Sequence, residues 1–269
     1  MTDRYGVIGH PIAHSKSPVI HGLFATQTDQ DISYEAFDIP PAELSTTINK
    51  LIQDGIKGLN VTVPLKKEVA ELVDHLSDRA QLAGAVNTID VKNGRISGDN
   101  TDGVGLVRDL RDNLGIDLMD SRLLILGAGG ATRGIVPSLL EAGATSIRIA
   151  NRTLEKARGL ADQYRSLGAV TPCRFDELER ESFDLIINAT SAGLHGESPP
   201  FPTSIITPDV VCYDLSYAMR DTPFTAWARE HGARQVHQGW GMLVEQAAES
   251  FFIWRGIRPE TGPVLKQLP

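Results

Sequence analysis

Short apolar runs alternate along the chain with longer segments whose apolar positions recur at helical spacing. Such alternation predicts βα units and a largely parallel sheet. In the first part it predicts strands near 4–8, 33–38 and 58–63, with a weaker pair near 87–91 and 95–98. Helical spacing fits 18–27, 41–54, 66–73, 78–84 and 103–114. The segment 114–121 has no strong period and holds Gly115 and Asp120, which suits a helix end and a hinge. A second pattern starts sharply at Arg122, where RLLILGAGG reads as a buried strand running into glycines. A helix to about 142, the strand SIRIA at 146–150, a helix near 154–167 and a strand near 169–173 follow. Then come the strands DLIINAT and VVCYDL (210–215), a helix at 223–231, a short strand at 233–236 and a long helical run at 239–255. The proline-rich stretch 193–209 is the most irregular, and long loops of this kind are often functional.

Composition narrows the partners. The 269 residues are 41% hydrophobic and 22% charged, ordinary for a globular protein of one large or two modest domains. A net charge of −8 without a Lys/Arg cluster argues against nucleic acid or an anionic membrane surface. Cys173 and Cys212 lie in or beside apolar runs without CxxC spacing, so buried thiols in a reducing compartment are expected. The opening MTDRYGVIGHP lacks the charge-then-apolar pattern of a secretion signal, and no apolar run approaches the roughly 20 residues that span a bilayer. The expectation is a cytoplasmic protein acting on small molecules. His10 and His14 are four apart, but Pro11 interrupts a helix there; no metal site is expected.

Gly127, Gly129 and Gly130 follow four apolar residues and open a helix, the setting of a dinucleotide-binding turn whose helix N-terminus faces a pyrophosphate. The third glycine of G-x-G-x-x-G falls on Thr132, and any tight strand-to-helix turn could look similar. A second strand arriving about 20 residues on favours the dinucleotide. That strand ends in Asn151, Arg152 and Thr153, with Lys156 a turn later, where an NAD site usually places a carboxylate. Arg152 near a helix N-terminus opposes the dipole, a cost that a ligand's 2′-phosphate offsets through a charge-assisted pair. A solvated basic helix start is the plainer alternative; the pattern favours NADP over NAD. Small residues at the strand exit Asn188–Gly193, including Thr190 and Ser191, would let a planar ring approach the backbone, although an ordinary strand exit reads the same.

The first part carries polar residues that local structure only partly explains. Ser17 before Pro18 suits an N-cap, which leaves Ser15 over; two hydroxyls at a helix start also suit a small carboxylate. Lys66 and Lys67 open a helix against the dipole rule, and uncompensated rule-breaking points to function, more for Lys66 than Lys67. Solvated surface lysines remain the plain alternative. Asn87 is an amide inside the apolar run GAVNT, and Asp99, Thr101 and Asp102 crowd one helix start where a single cap would suffice. Gln246 shares a helix face with Met242, Leu243 and Ala247, so its amide needs an internal partner or a ligand.

Eight runs, in order, resemble shikimate dehydrogenase over the full length: PIAHSKSP (11–18), NVTVPLK (60–66), GAVNT (84–88), GDNTDG (98–103), GAGGA (127–131), NRT (151–153), NATSAG (188–193) and GWGMLVEQA (239–247). The resemblance implies an α/β fold with an N-terminal substrate domain (1–103), a Rossmann NADP-binding domain (104–238) and a terminal helix (239–269) returning to the first, with the site in the cleft between them. It implies reversible reduction of 3-dehydroshikimate to shikimate with NADPH in aromatic amino-acid biosynthesis. Ser15 and Ser17 would hold the substrate carboxylate; Thr62, Lys66, Asn87, Asp102 and Gln246 would hold the ring hydroxyls, with Tyr217 in contact. Lys66 and Asp102 would be the catalytic pair. Asp78, Gly127, Ala128, Gly129, Gly130, Ala131, Asn151, Arg152, Thr153, Lys156, Thr190, Ser191, Leu215 and Gly239 would face the cofactor. The chain would act as a monomer or homodimer. It departs from the family at Ala13, commonly serine, and where Ala218 and Met219 follow Tyr217. Rival readings are a quinate/shikimate dehydrogenase using NAD, a methylene-tetrahydrofolate-type dehydrogenase, against which the SKSP and NTDG runs argue, and an NADP-binding regulator without turnover.

Overall fold

The computed structural model describes residues 2–179, 181–190 and 201–268. The chain divides into two compact units, Met1–Gly105 with Leu243–Leu268, and Leu106–Met242.

The first unit runs β1 (Asp3–Gly9), α1 (Ser17–Gln27), β2 (Ile32–Asp38), α2 (Leu44–Gln53), β3 (Ile56–Val61), α3 (Lys66–Ala70), β4 (His75–Leu76), α4 (Asp78–Ala83), β5 (Thr88–Lys92), β6 (Arg95–Asp99) and α5 (Asp102–Arg108), whose last turn passes into the second unit. Its sheet has the order β2-β1-β3-β5-β6-β4. The sheet is largely parallel as expected, with one exception: β5 is antiparallel to both β3 and β6. The cause is local. Asn93 and Gly94, at φ +53° and +75°, close a two-residue hairpin, and Asn-Gly is a preferred pair for the positive φ that such a turn requires. β4 was not expected; two residues are too short to show a period.

The second unit runs β7 (Arg122–Leu126), α6 (Gly130–Glu141), β8 (Ser146–Ala150), α7 (Leu154–Tyr164), β9 (Ala169–Cys173), β10 (Leu185–Asn188), β11 (Val211–Asp214), α8 (Pro223–Glu230) and β12 (Gln235–Gln238). Among the described residues every pairing in its sheet is parallel, in the order β12-β11-β10-β7-β8-β9. The central strands LLIL and LIIN are buried throughout, as a sheet covered on both faces demands. The order reverses between β7 and β10, and ligands of such sheets lie at the carboxyl ends beside that switch. β12 begins two residues later than its pattern predicted, because Gln235 pairs with Val211 while Ala233 remains in the preceding turn.

The final helices are α9 (Trp240–Arg255) and α10 (Gly262–Leu265). From Leu243 onward they belong to the first unit, where Val244, Ala247 and Phe251 pack on Ile20 and Phe24 of α1. A methyl group on Gly105 would sit 2.7 Å from the Gln246 backbone nitrogen, so the absence of a side chain lets α5 and α9 cross closely. Cys173 and Cys212 are both buried and free. No helix among the described residues is long and apolar enough to cross a membrane. Ser191 and residues 193–200 of the proline-rich stretch lie outside the described residues.

Candidate active site

In the first unit three element ends converge. Lys66 opens α3, Asp102 opens α5, and Asn87 leads into β5. Lys66 Nζ donates to Asp102 Oδ2 at 2.5 Å, with side chains 20% and 6% exposed. A carboxyl group so far from water needs dedicated hydrogen-bond partners. Its other oxygen, Oδ1, accepts from Asn87 Nδ2 at 2.8 Å. The Asp102 backbone N–H is held by Asn100 Oδ1 (3.1 Å), and Asn100 donates in turn to the Ala85 carbonyl. Asn87 is 2% exposed and also reaches Thr101 Oγ1 (2.9 Å) and Gln246 Oε1 (3.2 Å). Gln246 points inward from α9, its own amide spent on the Leu243 carbonyl. The structure thus brings together Lys66, Asn87, Asp102 and Gln246.

An ion-pair network braces this cluster. Arg79 reaches Asp99 through Nε (2.6 Å) and Nη2 (2.9 Å), and Glu249 through Nη1 (3.1 Å). Burial by itself would raise the Asp99 carboxyl. Hydrogen bonds from Arg79 and Ser77 outweigh it and hold the group below the usual carboxylate value. Asp99 Oδ1 also caps the Asn100 N–H at 2.7 Å, so the loop leading to Asp102 starts from a fixed charge. Arg258 ties Glu245 and Glu249, the residue before Gln246 and the one three beyond it on α9.

Ser15 and Ser17 are adjacent, with Ser15 Oγ accepting the Ser17 N–H at 3.3 Å. The expected N-cap role of Ser17 is overturned. α1 begins at Ser17 itself, and Lys16 occupies the cap position without a side-chain cap bond. The Ser17 hydroxyl therefore has other work. Near it lies Tyr34, whose phenol burial pushes well above its usual value, with the Ser17 side chain slightly opposing. Tyr34 donates to Asn60 Oδ1 (2.7 Å), and Asn60 Nδ2 donates to Ser250 Oγ (2.9 Å). Ser250 meets Thr88 Oγ1 (2.7 Å), which donates to Asn87 Oδ1 (2.9 Å). A buried polar chain therefore runs from Tyr34 to the lysine–aspartate pair. Tyr34, Ser250 and His21 were missed in the sequence, although each is a polar group at an apolar-spaced position. Thr62 stands where β3 ends, its N–H on the Ile8 carbonyl (2.9 Å) and its methyl against Gly9.

In the second unit the glycine turn has the form its sequence predicts. Gly127 sits at φ +105°, and a side chain there would strike Thr190 and Ala189 at about 3 Å. Gly129 caps α6, and added Cβ atoms at Gly129 or Gly130 would meet nothing within 4 Å, leaving the helix N-terminus open to a phosphate. Thr132 replaces the third glycine, and its buried hydroxyl donates to the Gly127 carbonyl at 2.8 Å, tying the turn to the helix. At the end of β8, Asn151 Nδ2 donates to the Thr153 carbonyl (2.8 Å), while Arg152 and Lys156 are exposed. Thr190 is bound to Asn188 Oδ1 by N–H and hydroxyl. Leu215 and Gly239 are packed backbone to backbone, with no room for a side chain on Gly239. Tyr217 belongs to this unit and packs on Trp240 with ring centroids 4.4 Å apart. Asp78 lies in the first unit, exposed in the first turn of α4 behind the Ser77 cap, outside the Lys66–Asp102 cluster.

Three family models match: the shikimate dehydrogenase substrate-binding domain over 7–89, shikimate/quinate 5-dehydrogenase over 109–195, and the shikimate 5′-dehydrogenase C-terminal domain over 239–268. The chain is 50% identical to shikimate dehydrogenase (NADP(+)) of Alkalilimnicola ehrlichii, covering 100% of this chain and 99% of that one. It is 52% identical to the protein of the same name from Methylococcus capsulatus, over 99% of this chain and 96% of the relative. Among solved structures, an Ael1 enzyme from Pseudomonas putida superposes with TM-score 0.92 at 44% identity, covering 100% and 99% of the two chains. Shikimate 5-dehydrogenase of Thermus thermophilus in complex with NADP(H) and shikimate gives 0.88 at 34% identity, covering 98% of each.

Proposed function

The chain belongs to the shikimate dehydrogenase family, and from that premise we propose that it reversibly reduces 3-dehydroshikimate to shikimate with NADPH. The observation that carries this reading is the Lys66–Asp102 pair, fixed by Asn87 and set beside Gln246 in one cluster.

NADP, when bound, supplies the hydride for reduction and accepts it in the reverse direction. The residues of the second unit fit such a group. The open N-terminus of α6 at Gly129 and Gly130 suits a pyrophosphate, and Arg152 without a neighbouring carboxylate in its strand-end run suits a 2′-phosphate. Asn151, Thr153 and Lys156 complete that end; Ala128, Ala131, Thr190, Leu215 and Gly239 offer small or backbone surfaces to the rest.

The first unit supplies the proton chemistry. In reduction the Lys66 ammonium gives a proton to the ketone oxygen as carbon gains its hydride; in oxidation Lys66 takes the hydroxyl proton. Asp102 points the amine at the reacting oxygen. Asn87 spends its amide on Asp102 Oδ1, so the carboxylate cannot rotate away from the amine. Gln246 and Asn87 would exchange bonds they make here, including the one between them, for ring hydroxyls, Thr62 would add its hydroxyl, and Ser15 and Ser17 offer hydroxyl donors to a carboxylate. Tyr217 is an additional substrate contact in this reading.

The assay follows absorbance at 340 nm with shikimate or quinate and NADP or NAD. Expected is fast reduction of NADP with shikimate and much slower turnover in the other three combinations. NAD rates equal to those with NADP would defeat the cofactor assignment. NADP binding without any shikimate-dependent signal would favour a regulator without turnover.

A further inference from the structure

The carboxyl ends of β8 and β9 lie side by side, with Ala150 opposite Cys173 and the Asn151 N–H on the Cys173 carbonyl. That register brings Arg152, after β8, and Arg174, after β9, to the same rim. Both line a cavity of about 390 Å³ whose other walls are Phe175, Asp176, Phe201 and Pro202. This size falls within the range of small-molecule pockets, roughly 300–1,000 Å³. Phe175 and Phe201 meet edge to face with centroids 4.9 Å apart, which makes one wall aromatic.

The two guanidinium groups are not equally engaged. Among the described residues Arg152 has no hydrogen-bond or ion-pair partner. Arg174 donates from Nε to Asp176 Oδ1 at 3.1 Å, but the side chains are 54% and 71% exposed. An ion pair so open to water holds its partners weakly and exchanges easily. A dianion entering between two arginines would gain charge-assisted, planar pairing from both. The same guanidinium and aromatic faces suit the flat side of a purine.

We propose that Arg174 is a second specificity-determining residue for the cofactor, binding the adenosine 2′-phosphate together with Arg152 and releasing Asp176 as it does so. The inference rests on the NADP reading above. It extends the basic signal of the strand end from Arg152 to the next strand, which carries no glycine or NRT-like run to mark it.

The test uses 2′,5′-ADP and 5′-ADP, titrated calorimetrically into the full chain, so that it needs no turnover. Arg174→Ala is expected to weaken 2′,5′-ADP about tenfold while changing 5′-ADP less than twofold. Arg174→Gln, which keeps length and polarity, is expected to lose about as much, since the lost element is the charge. Unchanged 2′,5′-ADP affinity in both variants, or equal losses for the two ligands, would overturn the proposal. Failure of wild-type protein to bind 2′,5′-ADP would overturn it together with the NADP assignment. Absent shikimate turnover with intact, Arg174-dependent 2′,5′-ADP binding would sink only the substrate assignment.

Discussion

His21 shows how much a single buried side chain can encode. Its Nε2 faces Asn60 Oδ1, which already accepts from Tyr34, so the ring must donate there. Its Nδ1 is buried without a partner among the described residues. The ring stacks on Tyr34 with centroids 4.2 Å apart and nearly parallel planes. Burial pushes the imidazole down to about 3, with the Asn60 hydrogen bond only partly opposing. The folded value lies below the unfolded one near 6.5, so this group's contribution to stability is complete above that pH. It declines as pH falls below about 6.5, by up to about 1.4 kcal/mol per unit, until the folded value is passed. Denaturant unfolding between pH 7.5 and 5 is expected to show this slope in the wild type and a flatter one in His21→Phe, which keeps the stacking. Parallel slopes would mean that the ring is protonated in the folded state. The sequence offered His21 only as one of seven histidines without metal spacing; its neutral, stacked state depends on Tyr34 and Asn60, which no local pattern places beside it.

At the level of elements, legibility followed the range of the forces involved. The GAGGA turn was readable because one backbone position forces glycine: Gly127 at φ +105° admits no ordinary side chain. Gly127→Ala is expected to cost about 1–3 kcal/mol of stability and to weaken NADP at least tenfold, measured by denaturant unfolding and calorimetry. Wild-type NADP affinity in that variant would remove the turn from the cofactor site. The threonine at the third position looked like a defect and is a tie, which only the Thr132 hydroxyl's partner reveals. Two-residue β4 and four-residue α10 left no periodic trace. The antiparallel β5 escaped the pattern of parallel units, although Asn93-Gly94 announced its hairpin. Arg174 escaped for a different reason, since an arginine after a strand is ordinary until the β8–β9 register sets it beside Arg152.

For the whole molecule, the site depends on contacts far apart in sequence. Lys66 and Asp102 stand 36 residues apart, and Asn87 and Gln246 stand 159 apart, yet each pair meets. The alternation of apolar runs and the glycine turn indicated α/β units and a dinucleotide, while the meeting of amine and carboxylate needed the folded first unit. Removing the amine should leave the second unit untouched, which separates proton chemistry from cofactor affinity. General acid–base catalysis typically contributes about 10²–10⁴-fold. The deciding measurement is therefore turnover of Lys66→Ala at saturating shikimate and NADP, alongside its NADP dissociation constant. The account predicts a loss of at least about a hundredfold in kcat with NADP affinity within about twofold of wild type. Near wild-type kcat would contradict it, because the proton would then travel by a route that does not include this lysine.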